Sequence, residues 1–256
     1  MSRPARMDVL GVGIDPLTAE ELQSEIGRLV HENAHALVLN ANAHCLNLCY
    51  EDVALRGALN RANVVFCDGA GVVLAARVLG ERIPERITYA EWAWLLAAFA
   101  AAEGFSLYLL GARPGVAREA ERRLRARYPD LRVSGVHHGY FDHRAGSPEN
   151  EAVVENINAA RPDILLVGLG MPLQERWLMQ NWERIDAGVA LTGGAVFDYL
   201  SGRLRRGPRL LTDNGFEWLA RLLVEPRRLW RRYLIGNPLF LLRVLRQRLR
   251  ARDHKI

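Results

Sequence analysis

Lysine is almost missing. Of the 34 basic residues only Lys255 is a lysine, a bias read as a mark of GC-rich coding and given no functional weight. Cysteine is scarce: Cys45, Cys49 and Cys67 are odd in number and lie in apolar segments. They argue against a disulfide scaffold and read as reduced, buried thiols of a cytoplasmic protein. The longest uninterrupted apolar run, Trp92 to Ala102, has 11 residues, well short of the roughly 20 that a membrane-spanning helix needs. Met1-Ser2-Arg3-Pro4-Ala5-Arg6 shows no apolar core of the signal-peptide kind. Several catalytic signatures are missing too. There is no Gly-x-Ser-x-Gly elbow for a serine nucleophile. His44 and the His137-His138 pair lack partners at metal-ligand spacing and read as structural histidines. No glycine turn has the three spaced glycines of a dinucleotide fingerprint, which counts against a Rossmann-like oxidoreductase.

What is present is an ordinary globular composition with an uneven charge. The 256 residues are half hydrophobic and one quarter charged, enough for one large domain or one domain with an appendage. From Arg203 onward there are 15 Lys/Arg against 4 acids, a net of +11, whereas the first 202 residues carry 19 bases and 25 acids, a net of −6. A mildly acidic body thus carries a strongly basic tail, with the boundary at Ser201-Gly202. Such a tail favours an anionic partner, either nucleic acid or an anionic membrane surface.

Short, uniformly apolar runs alternate with helical stretches of similar size. Strands are expected at Asp8 to Ile14, Ala36 to Leu39, Val64 to Cys67, Phe105 to Leu110, Leu131 to Val136, Asp163 to Val167 and Gly188 to Leu191. The intervening helices include one opened by a Thr18/Glu21 capping box, one over Ala43 to Leu59 and one from Tyr89 to Ala102. This pattern predicts an α/β protein: a Rossmann-like, mainly parallel sheet with helices on both faces, followed by a basic helical C-terminal appendage.

The chemistry-bearing residues fall where such strands end. Asp68 follows Val64-Val65-Phe66-Cys67, with Gly69 and Gly71 beside it. An acid at a parallel strand's carboxyl end lies where open α/β sheets bind ligands, although an aspartate before a helix is also a common cap. Asn40 and Asn42 alternate on one extended backbone and so point the same way. Their amides suit sugar hydroxyls or a pyrophosphate, or merely a turn. Gly111, Gly168-x-Gly170 and Gly193-Gly194 follow other strands, where glycine lets backbone amides approach a phosphate. Gln174-Glu175 occupies the first turn of a helix, where solvated polar residues are the plainer reading. In the tail, Arg221, Arg227, Arg228, Arg231 and Arg232 are interleaved with Leu222, Leu229, Trp230 and Tyr233. That composition fits a helix lying in a membrane interface, and equally a helical hairpin packed on the body or an RNA-binding arm.

Together these residues resemble the WecG/TagA/CpsF glycosyltransferase family of bacterial surface-polysaccharide enzymes. The marks are Asn40-x-Asn42, Asp68-Gly69-x-Gly71, Pro84-Glu85-Arg86-Ile87, Gly168-x-Gly170-x-Pro172-x-Gln174-Glu175 and Gly193-Gly194-Ala195-x-Phe197-Asp198. The last block is Glu217-Trp218-x-x-Arg221-x-x-x-Glu225-Pro226-x-Arg228-x-x-Arg231-Arg232-Tyr233, and the similarity runs from about Val9 to Phe240. The resemblance implies a metal-independent, inverting transfer of a sugar, N-acetylmannosamine, its uronic acid or another hexose. The sugar would pass from a UDP-sugar to a polyprenyl-diphosphate-linked sugar, with no cofactor. Asp68 would be the general base, with Asn40 and Asn42 in the same polar pocket. Arg86, Arg221, Arg228 and Arg231 would neutralise the diphosphates. Gln174, with Glu175 beside it, would line the sugar pocket, while Gly193, Gly194 and Asp198 would sit near the UDP. The protein would work on the inner face of the cell membrane as a peripheral protein, the tail folding over the site on the anionic surface. No nucleic-acid partner is implied, and homo-oligomerisation is left open. The chain departs from the family pattern at Asn40, where threonine is usual, and at Tyr89 and Glu91, where glycine and aspartate are common. A non-catalytic nucleotide- or RNA-binding protein using the tail as its arm is the competing reading.

Overall fold

The computed structural model describes residues 4–208, 211–212 and 215–253, with residues 252 and 253 described for their backbone alone. Arg209, Asp213 and Lys255, counted in the tail's charge, lie outside them. The body is α/β as expected. Six strands form one sheet in the order β4-β3-β8-β7-β5-β6, built from β3 (Ala36–Ala41), β4 (Val64–Cys67), β5 (Ser106–Gly111), β6 (Arg132–His137), β7 (Ile164–Gly168) and β8 (Val189–Thr192). The pairs β3/β8, β8/β7, β7/β5 and β5/β6 are parallel, with Ala36 opposite Val189 and Leu107 opposite Ile164. Every residue of β4, β5, β7 and β8 is buried. That is why these strands read as continuous apolar runs and not as alternating ones.

Two expected elements divide. Asp8 to Ile14 is not one strand but an antiparallel hairpin of β1 (Met7–Val9) and β2 (Val12–Ile14). Leu10 and Gly11 turn the chain with φ of 56° and 84°. The helix expected over Ala43 to Leu59 is two, α2 (Ala43–Glu51) and α3 (Val53–Arg61). Asp52 breaks it by turning extended and accepting the Leu55 amide at 3.0 Å as the cap of α3.

The chain clusters into two compact units, one of residues 1–18, 40–88 and 206–256, the other of residues 19–39 and 89–205. The second unit carries β5 to β8 and most of β3. With them go α1 (Ala19–His31), α5 (Tyr89–Glu103), α6 (Val116–Arg127), α7 (Pro148–Ala160), α8 (Leu173–Asn181) and α9 (Val196–Leu200). A buried polar triad braces it: the Trp177 indole donates to Asn150 at 2.7 Å, Asn150 to Asn181 at 2.8 Å, and Asn181 to the Trp177 carbonyl at 2.9 Å.

The first unit holds the hairpin, α2, α3, β4, α4 (Ala70–Leu79) and the C-terminal helices. These are α10 (Glu217–Val224), α11 (Pro226–Trp230), a π-helical turn over Arg231–Ile235, and α12 (Gly236–Asp253). Asp15 ties the hairpin to β4, its carboxylate accepting the Val65 amide at 2.7 Å and pairing with Arg6 at 3.1 Å. The last helix packs on α2 and α4 through a buried guanidinium. Arg243 donates to the Asn47 carbonyl and side chain at 3.1 and 3.0 Å, pairs with Glu51 at 2.5 Å, and lies 4.3 Å over the Tyr50 ring. Arg248 adds a bond to the Leu79 carbonyl at 2.8 Å. Arg243→Ala should therefore lower the stability of the first unit by on the order of 2 kcal/mol, because it strands buried acceptors. Denaturant unfolding of the variant, read with its urea midpoint, checks this; an unchanged midpoint would contradict the clamp.

Candidate active site

The site is built where β3 and β4 end. The Asp68 amide donates to the Ala41 carbonyl at 2.8 Å, and the Ile87 amide donates to the Cys67 carbonyl at 3.1 Å. The first bond sets Asp68 beside the asparagines, and the second delivers Arg86 to the same strand end. Between them Gly69 takes φ 106° and ψ 151° and is itself the N-cap of α4, with no side-chain cap. That backbone conformation is open to glycine and costly for other residues. Helix capping is thus not what occupies the Asp68 carboxylate.

Its partners are amides. Asn40, 3% exposed, donates from Nδ2 to Asp68 Oδ2 at 2.9 Å. Asn42 caps α2, its Oδ1 accepting the Cys45 amide at 3.0 Å, and its side chain also hydrogen-bonds the Asp68 carboxyl. The alternation of these two asparagines does bring both to one acid, and Asn42 serves as cap and partner at once. Asp68 and Asn42 line a cavity of about 710 Å³ whose lining residues all belong to the first unit. One part of its wall is cationic, with Arg77, Arg86, Arg221 and Arg232; another is apolar, with Val73, Leu74, Trp218, Phe240 and Leu241. Arg86 also donates to the Thr212 carbonyl at 2.9 Å.

Burial pushes the Asp68 carboxyl above the usual carboxylate range, against the pull of the Asn40 and Asn42 amides and the charges of Arg232 and Arg221. Glu217, in the same cavity, is raised by burial and by the Asp68 charge, with Arg206, Arg86 and Arg221 opposing. His44 is lowered to about 4 by burial and by Arg232, so the pocket presents a neutral imidazole at pH 7. Burial likewise lowers Arg232. Among the described residues no group of three His, Cys, Asp or Glu side chains is placed to hold a metal ion.

In the second unit the glycine turns follow β5, β7 and β8. A Cβ on Gly111 would stand 2.3 Å from the Gly168 carbonyl oxygen, and one on Gly168 would stand 2.8 Å from the Phe197 ring. Packing alone therefore forbids side chains at both. Several turn amides already have partners. Gly170 and Gly194 donate to Gln174 Oε1 at 3.2 and 3.0 Å, and Gly193 donates to the Val167 carbonyl at 2.8 Å. Gln174 is fully buried and Glu175 is 2% exposed, so this pair is not a solvated first turn. Asp198 lies in the first turn of α9, and its carbonyl accepts from Ser201 Oγ and the Leu204 amide at 3.2 and 2.8 Å.

A family model for the glycosyl transferase WecG/TagA/CpsF family matches residues 7–254. The chain belongs to that family, and it is a glycosyltransferase. It is also 28% identical, over 99% of its length and 98% of theirs, to proteins of Staphylococcus aureus strains COL and MW2. Both relatives bear the name N-acetylglucosaminyldiphosphoundecaprenol N-acetyl-beta-D-mannosaminyltransferase.

The glycosyltransferase's expected site residues divide between the units. The first holds Asp68, Asn40, Asn42, Arg86, Arg221, Arg228 and Arg231; the second holds Gly111, Gly168, Gly170, Gln174, Glu175, Gly193, Gly194 and Asp198. Arg228 and Arg231 do not line the cavity. Arg228 is exposed and pairs with Glu225 at 2.8 Å, while Arg231 stands 5.3 Å over the Trp230 ring. Arg232 lines it instead, together with Arg77, His44 and Glu217, four residues that the sequence reading did not place in the site. Both arginines fall in the π-helical turn, and the order Arg231-Arg232 does not by itself show which of the two lines the cavity.

Burial raises the Glu175 carboxyl to about 7, against its bonds from the Gln174 amide and its own backbone N–H. An unfolded glutamate ionises near pH 4.3. Between the two values the folded enzyme keeps a proton that the unfolded chain has released, so stability falls as pH rises through that window. The loss is complete above about pH 7. Glu175→Gln should therefore melt close to wild type near pH 4.5 and higher than wild type at pH 8, by on the order of 2 kcal/mol. Thermal melts at the two pH values check it; equal melting at pH 8 would contradict a buried ionising acid.

Proposed function

We propose that this glycosyltransferase moves a sugar, N-acetylmannosamine, its uronic acid or another hexose, from a UDP-sugar to a polyprenyl-diphosphate-linked sugar, with inversion and without a metal. One observation carries the reading: a half-buried carboxylate, held by two asparagine amides, faces a cavity whose other groups include four arginines. In this mechanism Asp68 takes the proton of the acceptor hydroxyl as that oxygen attacks the anomeric carbon. The oxygen's electron pair forms the new glycosidic bond. The bond from the anomeric carbon to the diphosphate oxygen breaks, and UDP departs with its electron pair from the opposite face, which inverts the centre.

Burial favours this use of Asp68, since a raised pKa makes its carboxylate a stronger base. The asparagines keep it oriented. Arg77, Arg86, Arg221 and Arg232 supply positive charge to a diphosphate, a task that a metal ion could otherwise serve. Carboxyl ends of strands are where open α/β sheets bind ligands, so the turns after β5, β7 and β8 are assigned to the donor nucleotide. The names of the staphylococcal relatives support an N-acetylglucosaminyl-diphosphate lipid as acceptor.

The same lipid implies work at a membrane surface. Among the described residues no helix is long and apolar enough to cross a membrane. Leu223 and Val224 are 71% and 63% exposed, and Trp230, Leu234 and Ile235 are exposed beside Arg227, Arg228 and Arg231. Exposed apolar side chains among arginines suit an anionic interface, where each basic residue contributes about 1 kcal/mol. Arg228 and Arg231, outside the cavity, fit that surface.

Asp68→Asn should cut transfer by about 10²- to 10⁴-fold, the usual worth of general-base catalysis, while UDP affinity stays within about twofold. Transfer assays over a panel of UDP-sugars with a polyprenyl-diphosphate acceptor, paired with UDP titration, test this. Full turnover by the variant would sink the base assignment. Replacing Arg228 and Arg231 together by glutamine should reduce turnover and sedimentation with anionic vesicles while leaving the unfolding midpoint unchanged. Undiminished turnover on vesicles, or salt-sensitive RNA binding with no lipid association, would count against the membrane reading.

A further inference from the structure

The Gln174-Glu175 pair is built in a way that donor contact alone does not explain. Both side chains are buried, and the Gln174 carboxamide has a different partner at each end. Its oxygen receives the amides of Gly170 at 3.2 Å and Gly194 at 3.0 Å, while its nitrogen donates to Glu175 Oε1 at 2.7 Å. Turning the carboxamide over would set its NH2 against two backbone donors and leave Glu175 facing a carbonyl oxygen. The Glu175 acceptor and the two glycine donors together set which way the amide points, and Glu175 is the one side chain among them. That orientation matters because Gly170 belongs to the turn after β7 and Gly194 to the turn after β8. One oxygen atom holds the two turns together.

Glu175 spends its own hydrogen-bonding capacity to do this. Its second oxygen, Oε2, is buried and has no partner among the described residues. A buried polar atom left unmet costs free energy that a leucine in its place would avoid.

We propose that Glu175 is a positioning residue for donor binding, its buried carboxyl fixing the Gln174 carboxamide so that the turns after β7 and β8 keep a single spacing. The proposal rests on the reading above that these turns take the donor nucleotide, but it makes a separate statement about what holds them. Glu175 does not touch the sugar or its diphosphate in this account; it acts through Gln174.

The experiment uses the full chain with UDP as the probe, comparing wild type, Glu175→Ala and Glu175→Gln. Hydrogen exchange is followed at the Gly170 and Gly194 amides, and UDP affinity by calorimetry below the melting range of every variant. The alanine variant should speed exchange at both amides and weaken UDP binding by about tenfold. In transfer assays its donor KM should rise more than its kcat falls. Glutamine keeps an acceptor oxygen for Gln174 and should recover most of both losses. If alanine lowers only the melting temperature and leaves exchange and UDP affinity unchanged, the proposal is overturned. Faster exchange with unchanged UDP affinity overturns the link to the donor. Wild type that transfers sugar but does not bind UDP at all overturns the donor reading beneath it. Failure of the Asp68 assignment would appear elsewhere, in the turnover of Asp68→Asn with its UDP binding intact.

Discussion

A carboxylate withdrawn from water has to be compensated, and the first unit is arranged around meeting that requirement at Asp68. The compensation comes in two kinds. Asn40 and Asn42 donate hydrogen bonds directly, and Arg232 and Arg221 contribute charge from farther away. Neither kind is accidental in position. Asn40 is the fifth residue of β3 and Asn42 caps the helix that follows, so ordinary strand alternation and ordinary capping set both amides. Burial still outweighs them and leaves the acid's pKa raised. A proton acceptor profits from that balance, since a fully compensated carboxylate would hold a proton too weakly to remove one from a hydroxyl.

The cations carry their own cost. Arg232 is itself buried enough for its pKa to fall, and Arg221 and Arg228 repel it while Asp68 draws it back. His44 stays neutral for the same reason, beside a charge of the sign it would otherwise carry. An anion entering the cavity would relieve repulsion among the arginines, which favours a diphosphate over a neutral ligand. Two of those arginines belong to the C-terminal stretch whose composition stood out at +11. Its basic character thus serves two places: a few guanidiniums turned inward to the cavity, and others, with Leu223, Val224 and Trp230, turned outward. Arg243 turns to neither and spends its charge on fastening α12 to α2.

How much of this could be read in the sequence depended on whether local rules or tertiary ones decided each residue. The parallel sheet was legible because four of its strands, β4, β5, β7 and β8, are buried throughout and so uniformly apolar. Asn40-x-Asn42 and Asp68 were legible for the same local reason, a period of two and a strand end. The hairpin at Leu10-Gly11 was not, because seven residues of mixed apolar character pass as one strand until the backbone folds. Asp52, read as one more residue within a helix, proved to be a break with a cap. Arg232 was hidden because it stands beside Arg231 in one helical stretch, and composition does not say which of two adjacent arginines turns inward. Gln174 and Glu175 were the hardest, since polar residues in a first helical turn are usually wet, and only their partners show that these are not.

The glycines teach a related distinction. A glycine after a parallel strand invites the reading that its amide is reserved for a phosphate, yet Gly111 and Gly168 are obligatory on steric grounds before any ligand is considered. Gly170 and Gly194 differ. Apart from their immediate chain neighbours, no atom of the described residues lies within 4 Å of where a Cβ would stand on either, so their backbones are set by positive φ and by the bonds to Gln174. A side-chain oxygen that accepts two such amides occupies directions that a phosphate oxygen could also use, and it fixes them without charge. Whatever binds at these turns meets a backbone already held in place by Gln174, so less ordering remains to be done when it arrives. A buried acid next to that carboxamide, retained in spite of its desolvation, is then the expected cost of holding the frame still.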